Sequence, residues 1–123
     1  MVKSSNRDLS SSSDKAPMQD ATVIKELSSP KNLNTIGTVI RALDSPIRVQ
    51  IILALNARPH FVFELVKLVH SSQPLVSQHL KVLKAAGIAT SERRGRQMIY
   101  SLSQPKVLDI LSLALNAGEN STE

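Results

Sequence analysis

The stretch that decides the fold is SQPLVSQHLKVLKAAG, residues 72–87. Its largest apolar side chains recur at helical spacing and mark one buried stripe, made of Val76, Leu80 and Leu83. Ser72 is suited to cap the free amide groups at the start of the helix, and Pro74 is tolerated in its first turn. Gly87 supplies the left-handed backbone at which helices often end. The sequence therefore predicts a helix over residues 74–86 with a defined start and end.

The opposite side of this helix is polar and basic. When the residues are projected at about 100° each, that side carries Pro74, Ser77, Gln78 and Lys81. Gln can form two hydrogen bonds with adenine, Ser can donate or accept, and Lys can reach guanine or a phosphate. Polar outer faces occur on most surface helices, so this face indicates DNA binding only together with a second feature. His79 lies beside the buried stripe, and we expect it to fix the turn by hydrogen bonding or to approach DNA.

Further helices are predicted before this one. The first follows apolar residues that recur over residues 34–43, and the second runs over residues 46–56. The third has apolar residues at helical spacing from Val62 and ends near His70. A shorter helix over residues 21–27 is also compatible with the sequence.

The third helix, the helix over residues 74–86 and the segment after them together indicate a winged helix-turn-helix. Only residues 71–73 separate the third helix from the helix over residues 74–86, which is the spacing of a helix-turn-helix. Two extended segments follow, residues 88–90 and residues 98–102, on either side of a turn that contains Gly95. A helix-turn-helix followed by a β-hairpin is a winged helix-turn-helix, whose second helix normally enters the major groove.

The tip of the hairpin is strongly basic. It reads Glu92-Arg93-Arg94-Gly95-Arg96, so three guanidinium groups lie where a turn projects outward, suited to phosphate or a narrow minor groove. Between residues 74 and 100 five basic residues accompany one acidic residue, so most of the net charge of +5 lies in this segment. A basic turn can serve solubility alone, but beside the polar helix face it favours nucleic acid as the partner.

We therefore predict a mainly α chain with a small β-hairpin, a winged helix-turn-helix of about five helices plus a two-stranded wing. Residues 1–20 should form a disordered serine-rich tail, because they hold too few large apolar side chains to offset the entropy of ordering. Residues 21–123 should form the DNA-binding and dimerisation domain. Its last helix, opened by Pro105, is apolar on more than one side and should bury against a second subunit.

The composition excludes several classes of protein. The chain has no Cys, and therefore no disulfide, thiolate metal site or thiol switch. No apolar run approaches the ~20 residues that span a bilayer, and no signal peptide precedes the domain, so we expect a cytoplasmic protein without a membrane partner. Glycine-rich phosphate loops, paired carboxylates and nucleophile arrangements are lacking, so we predict neither an enzyme nor a cofactor.

Across residues 34–119 the chain resembles the ArsR/SmtB family of transcriptional repressors. Residues 72–87 are similar to the recognition-helix signature of that family, and residues 41–48, RALDSPIR, are similar to the approach to its second helix. Gly95-Arg96 and Tyr100-Ser101-Leu102 resemble its wing. The resemblance implies a homodimer, assembled from the first and last helices, that binds an imperfect palindrome in a promoter and represses until a metal or another inducer binds.

The resemblance also implies which residues form two surfaces, with double-stranded DNA and a second copy of the chain as partners. The DNA-binding surface would comprise Ser72, Gln73, Ser77, Gln78, Lys81, Arg93, Arg94 and Arg96, with Arg48 as a contact to the DNA backbone. The dimer interface would comprise Ile36, Val39, Ile40, Leu108, Leu111 and Leu115.

The sequence departs from the family at its metal sites. Many members place cysteine ligands where this chain has His60-Phe61-Val62-Phe63-Glu64. Others use histidines and carboxylates on the last helix, which here offers only Asp109, Asn116 and Glu119. The spacing of the three histidines, at positions 60, 70 and 79, matches no short metal motif. We therefore predict that the usual ligand positions bind no metal, and the sequence does not identify the inducer.

Two alternatives stay open at this point. The chain could be a repressor that responds to zinc or another metal through a non-standard site. It could also be a winged helix that contacts a protein rather than DNA, because a fold does not fix a function. An acidic or apolar recognition face would favour the protein-binding alternative, whereas the face found in the sequence is basic and rich in amides.

Overall fold

The computed structural model describes residues 20–120, and within them it has six helices and one three-stranded antiparallel sheet. The elements are α1 Ala21–Leu27, α2 Pro30–Ala42, α3 Pro46–Ala57, β1 His60–Phe61, α4 Val62–Val69, α5 Gln73–Ala85, β2 Ala89–Arg94, β3 Gln97–Leu102 and α6 Val107–Asn120. The mainly α winged helix-turn-helix predicted from the sequence is confirmed. The tail predicted over residues 1–20 lies outside the described residues except for Asp20.

Contacts along the chain divide it into two compact units, which meet within α2 between Thr38 and Val39. The single domain expected over residues 21–123 stays a prediction. In the first unit, the carboxylate of Asp20 caps α1 by accepting a 2.7 Å hydrogen bond from the amide of Thr22. The Asn32 side chain, on α2, donates a 2.7 Å bond to the carbonyl of Glu26 on α1.

The helix α2 starts at Pro30, earlier than the Asn34 at which the apolar periodicity begins. Proline lacks an amide hydrogen, but the first turn of a helix needs none from it. Ser29 satisfies a neighbouring amide, because its hydroxyl accepts a 3.2 Å hydrogen bond from the amide of Asn32. The helix α2 therefore begins at Pro30, with only Ser28 and Ser29 between it and the end of α1.

In the second unit, α3, α4, α5 and the sheet enclose the hydrophobic core. Its fully buried side chains with the largest volumes are Ile51, Ile52, Leu65, Val76, Leu80 and Leu83. The last three form the stripe predicted on α5, and the polar side of that helix faces outward. Packing against the core thus fixes which side of α5 is free to contact a partner.

Both ends of α5 follow the local signals in the sequence. The Ser72 hydroxyl accepts a 3.3 Å hydrogen bond from the amide of Leu75 and caps the start. At the other end Gly87 has φ +77°, and the amide of Ile88 donates a 2.9 Å bond to the carbonyl of Leu83. This left-handed residue and the bond that spans it close the helix.

The sheet contains one strand more than the two predicted. In the wing, β2 and β3 pair from Ala89 with Leu102 to Arg94 with Gln97, and Gly95 in the turn has φ +64°. The strand β1 pairs with β3, placing His60 opposite Tyr100. His60 is 6% exposed, and its Nδ1–H donates a 2.8 Å bond to the carbonyl of Arg58. A two-residue strand has no periodicity of its own, so pairing with β3 alone defines it.

Among the helices of residues 20–120, none combines the length and the apolar character that crossing a bilayer requires.

Candidate nucleic-acid interface

The turn between α4 and α5 depends on one left-handed residue. His70 has φ 54° and ψ 50°, and its amide donates to the carbonyl of Val66 as α4 ends. The next amide, of Ser71, bonds the same carbonyl at 3.3 Å. The chain reverses there and enters α5 after two further residues, which gives the helix-turn-helix predicted from the spacing.

A groove of about 440 Å³ lies between α5 and the wing, and we call it the α5–wing groove. Four residues predicted to contact DNA line it: Gln73, Ser77 and Lys81 from the helix, and Arg96 from the wing. The sequence did not identify the remaining lining residues, which are Val62, Phe63, Gln97, Met98 and Tyr100. The fold thus brings amide, hydroxyl, ammonium and guanidinium groups from two elements to one concave surface.

Two other predicted residues of the helix-turn-helix differ in their surroundings. Gln78 is exposed on α5, where its amide is accessible to a base edge. Ser72 is also exposed, but its oxygen accepts the bond from Leu75 that caps α5. Ser72 therefore has a structural role, and the DNA contact predicted for it stays a prediction.

The arginines of the wing do not share one environment. Successive residues of a strand point to opposite faces, so Arg93 and Arg94 on β2 cannot project in the same direction. The Arg94 guanidinium forms an ion pair of 3.3 Å with Glu92, two residues earlier and on the same face. Arg96 lies in the turn and lines the α5–wing groove. Of the three wing arginines, Arg96 is thus the one that lines the groove beside the polar face of α5.

The guanidinium of Arg48 makes three hydrogen bonds within the protein. Its Nε donates to the carbonyl of Ala42 at 2.7 Å, and a terminal nitrogen donates to the carbonyl of Arg41 at 3.0 Å. The other terminal nitrogen lies 3.0 Å from Nδ1 of His79 on α5. The contact to the DNA backbone predicted for Arg48 stays a prediction, while the structure places this guanidinium between α2, α3 and α5.

The surroundings of His79 disfavour its charged form. Partial burial and the adjacent charge of Arg48 lower the pKa of the imidazole from its ordinary value of 6.5. The hydrogen bond expected for His79 is thus found, and its partner is Arg48. Sequence reasoning could not name this partner, because the two residues are 31 positions apart.

Lys84 and Ser91 form a contact that the sequence did not reveal. Lys84 was predicted only as part of the basic segment. In the structure its Nζ donates a 2.7 Å hydrogen bond to the hydroxyl of Ser91 on β2. The contact joins the recognition helix directly to the wing.

The positions that correspond to metal ligands in the related family hold aromatic rings. Phe61 and Phe63 stack with 5.6 Å between ring centroids and an angle of 14° between ring planes. Within residues 20–120, three or more His, Asp or Glu side chains nowhere lie close enough together to hold a metal ion. Phenyl rings offer no donor atom to a metal, and the vacancy of the usual ligand positions stays a prediction.

A second surface is apolar. A groove of about 440 Å³, which we call the α2–α6 groove, is lined by Ile40, Arg41, Leu43, Asp44, Ile110, Leu111 and Ala114. Of the residues predicted for the dimer interface, Ile40 is 57% exposed and Leu115 is 64% exposed. Leu108 and Leu111 are half-buried against the core of their own chain, and Val39 is also half-buried. Ile36 is half-buried in the first unit.

Comparison with known proteins gives consistent relatives. The sequence model of the family described as "Bacterial regulatory protein, arsR family" matches residues 45–91. The HTH-type transcriptional repressor SmtB of Mycobacterium tuberculosis is 46% identical over 89 residues, which span 72% of this chain and 66% of that repressor. The HTH-type transcriptional regulator NmtR of the same organism is 31% identical over 85 residues, which span 69% of this chain and 71% of that regulator.

A solved structure agrees with these sequence relatives. The crystal structure of the transcriptional repressor BigR from Xylella fastidiosa superposes with a TM-score of 0.62 at 26% identity. The superposition covers 71% of this chain and 89% of that chain.

Proposed function

Since this chain belongs to the arsR family of bacterial regulatory proteins, we propose that it is a transcriptional repressor that binds an operator in duplex DNA as a homodimer. The family consists of transcriptional regulators, so the chain is a regulator and not an enzyme. The observation that carries the proposal is the α5–wing groove, where Ser77 and Lys81 of the recognition helix lie beside Arg96 of the wing.

The two walls of this groove suit different parts of a duplex. The exposed side of α5 carries Ser77, Gln78 and Lys81, whose groups can pair with base edges in the major groove. The wing carries Arg93, Arg94 and Arg96, whose guanidinium groups suit phosphates or a narrow minor groove. In this arrangement α5 reads the sequence of the operator, and the wing holds the protein on the DNA backbone.

The last helix supports assembly into a homodimer. On α6 the polar residues Asp109, Ser112 and Asn116 fall on one side when projected at about 100° each. The apolar residues cover the rest of the surface, and Ile110, Leu113 and Leu115 are exposed. A helix that exposes so wide an apolar surface is expected to bury it against another chain.

A twofold dimer explains the operator we propose. In a dimer with a twofold axis, a rotation of 180° relates the two recognition helices. Each helix would therefore read one half of an imperfect palindrome. Occupying a promoter in this way blocks the polymerase and needs no activating surface. Repression is therefore the simplest outcome of binding, and SmtB and BigR are both described as repressors.

We also propose that metals do not regulate this protein through the sites usual in its family. The stacked rings of Phe61 and Phe63 support this, because they occupy positions where donor atoms would be required. Titration calorimetry with zinc tests it. Submicromolar zinc binding that lowers DNA affinity would contradict the proposal and favour a non-standard metal site.

The test of the proposed function is fluorescence anisotropy with duplex DNA from the region upstream of the protein's own gene, against a scrambled duplex, at two salt concentrations. We expect tight, salt-sensitive binding that prefers the native duplex. The double variant Lys81→Ala/Arg96→Ala removes two charges from the α5–wing groove and should weaken binding. Its control, Lys67→Ala/Lys106→Ala, removes two charges from outside that groove and should have a much smaller effect.

Equal and weak binding of both duplexes would contradict the proposal. It would favour instead a winged helix that contacts a protein. Equal losses in the two double variants would show that net charge, and not the α5–wing groove, determines binding.

A further inference from the structure

The guanidinium of Arg48 joins three helices at one point. Arg48 lies in the first turns of α3, and two of its nitrogens donate to the carbonyls of Arg41 and Ala42 at the end of α2. Its remaining terminal nitrogen contacts Nδ1 of His79 on α5 at 3.0 Å. The last carbonyls of a helix lack partners within the helix and carry partial negative charge, so a guanidinium satisfies them well.

His79 connects this cluster to the residues that face outward on α5. It follows Gln78 directly and lies one residue before Leu80, which is fully buried. His79 is half-buried, between the outer face and the core stripe. A bond to its imidazole therefore restrains the rotation of α5 about its own axis, in addition to the packing of the apolar stripe.

We propose that Arg48 and His79 are positioning residues for DNA recognition, and that their hydrogen bond holds α5 in the orientation in which Gln78 and Lys81 meet base edges. The inference rests on the proposed function, which it deepens. It assigns to Arg48 a role that acts through α5, distinct from the contact with the DNA backbone predicted from the sequence.

The bond requires one protonation state of the imidazole. An arginine side chain only donates hydrogen bonds, so Nδ1 of His79 must accept, and the ring must be neutral with its hydrogen on Nε2. Protonation would place two donors and two positive charges face to face. Arg48 on α3 is the charged group that lowers the pKa of the ring, and α2 contributes the carbonyls of Arg41 and Ala42 to the cluster.

The consequence is a dependence on pH with a defined sign. Burial and the charge of Arg48 lower the pKa of His79, so the folded protein favours the neutral imidazole that the hydrogen bond requires. The bond is fully present above pH 6.5 and is lost as the pH falls through the lowered pKa. DNA affinity should follow the same course, because the orientation of α5 depends on the bond.

Two variants of His79 separate positioning from packing. In His79→Asn, Oδ1 takes the place of Nδ1 as an acceptor and does not titrate, whereas His79→Leu keeps an apolar body without an acceptor. At pH 7.5 we expect His79→Leu and Arg48→Ala to bind the native duplex about tenfold more weakly than the wild type, and His79→Asn to bind nearly as well. Between pH 7.5 and pH 5.5 the wild type should lose affinity relative to His79→Asn.

Two readouts without DNA make failure of this inference distinguishable from failure of the proposed function. The ¹⁵N chemical shifts of the imidazole should show hydrogen on Nε2 and titration below 6.5. Hydrogen exchange of the α5 amides should accelerate in His79→Leu but not in His79→Asn. A wild type that binds no duplex would overturn the proposed function, and these readouts would still decide whether Arg48 and His79 hold α5.

Three results would overturn the inference. The first is a His79 ring with its hydrogen on Nδ1, and the second is a pH profile shared by the wild type and His79→Asn. The third is an unchanged affinity and unchanged α5 exchange in His79→Leu. The first would show that the hydrogen bond does not form, and each of the other two would show that it does not orient the recognition helix.

Discussion

Lys84 Nζ on α5 donates a 2.7 Å hydrogen bond to the hydroxyl of Ser91 on β2. The contact links α5 to β2 of the wing through a pair of side chains seven residues apart. It also gives one basic residue of the recognition segment a role in holding the wing. The width of the groove, and hence its fit to DNA, should depend on this bond.

Replacing Ser91 with Ala tests the link between helix and wing. We expect operator affinity to fall by about 0.5 to 1.5 kcal/mol, the usual net contribution of one hydrogen bond, measured by fluorescence anisotropy. The melting temperature should change little, because the bond lies at the surface. Thr90→Ala, on the other face of β2, is the control, and an equal loss in that variant would argue against a specific role for the Lys84–Ser91 bond.

Gln78 is expected to read a base. Gln78→Ala should cost roughly 1 to 3 kcal/mol on the native operator and relax discrimination at one base position. Binding to a set of duplexes that differ at single positions measures both effects. A uniform loss across all duplexes would instead assign Gln78 to the DNA backbone.

Arg96 is expected to hold a phosphate or the minor groove from the wing. Arg96→Ala should weaken binding to all sequences alike and reduce the slope of log affinity against log salt by about one. Lys106→Ala is the matched control, because this substitution also removes one positive charge but Lys106 lines a different groove. If both variants changed the slope equally, the effect would come from overall charge.

Leu115 is expected to lie in the dimer interface. Its side chain is 64% exposed in one protomer, so Leu115→Lys should disrupt assembly without emptying the core. Sedimentation velocity should show a shift toward monomer, and affinity for a palindromic duplex should fall. Ser112→Lys, on the polar side of α6, should leave the dimer intact. If the Leu115→Lys protein still sediments as a dimer, Leu115 does not lie in the dimer interface.

Glu64 should stabilise the start of α4 only when it is ionised. Its carboxylate accepts hydrogen bonds from Arg58 and from the amide of Phe61 at 2.9 Å, and these bonds lower the pKa of Glu64 from its ordinary 4.5. The native state thus favours the charged form, and the stabilisation is present above pH 4.5 and lost as the pH falls through the lowered pKa.

Glu64→Gln should therefore melt at a lower temperature than the wild type at pH 7, and the difference should shrink by pH 3.5. Thermal unfolding at the two pH values measures this. A double-mutant cycle with Arg58→Ala isolates the part contributed by the ion pair. A difference in melting temperature that is independent of pH would show that the charge of Glu64 is not its source.

The residues of α5 show how far local signals reach. The spacing of Val76, Leu80 and Leu83, the cap at Ser72 and the stop at Gly87 act within one or two turns of helix. Such signals can be read from the sequence because neighbours along the chain are neighbours in space. The helices after α1, the hairpin and the outward face of α5 followed from signals of this kind.

Other features needed the folded chain. The strand β1 exists because β3 pairs with it, and the α5–wing groove includes Phe63 because α4 packs beside both of its walls. Glu92 pairs with Arg94 within one strand, which removes the equivalence of the wing arginines that the sequence suggested.

The sequence by itself determined a winged helix-turn-helix with a basic, amide-rich recognition face, since local spacing, capping and charge specify each of these. Only the tertiary structure decided that Arg48 bonds His79, that Lys84 bonds Ser91, and that Arg96 is the arginine in the groove. A hydrogen bond depends on the position and direction of two groups to within a fraction of an ångström. Packing of separate elements sets those positions, and no short-range pattern encodes them.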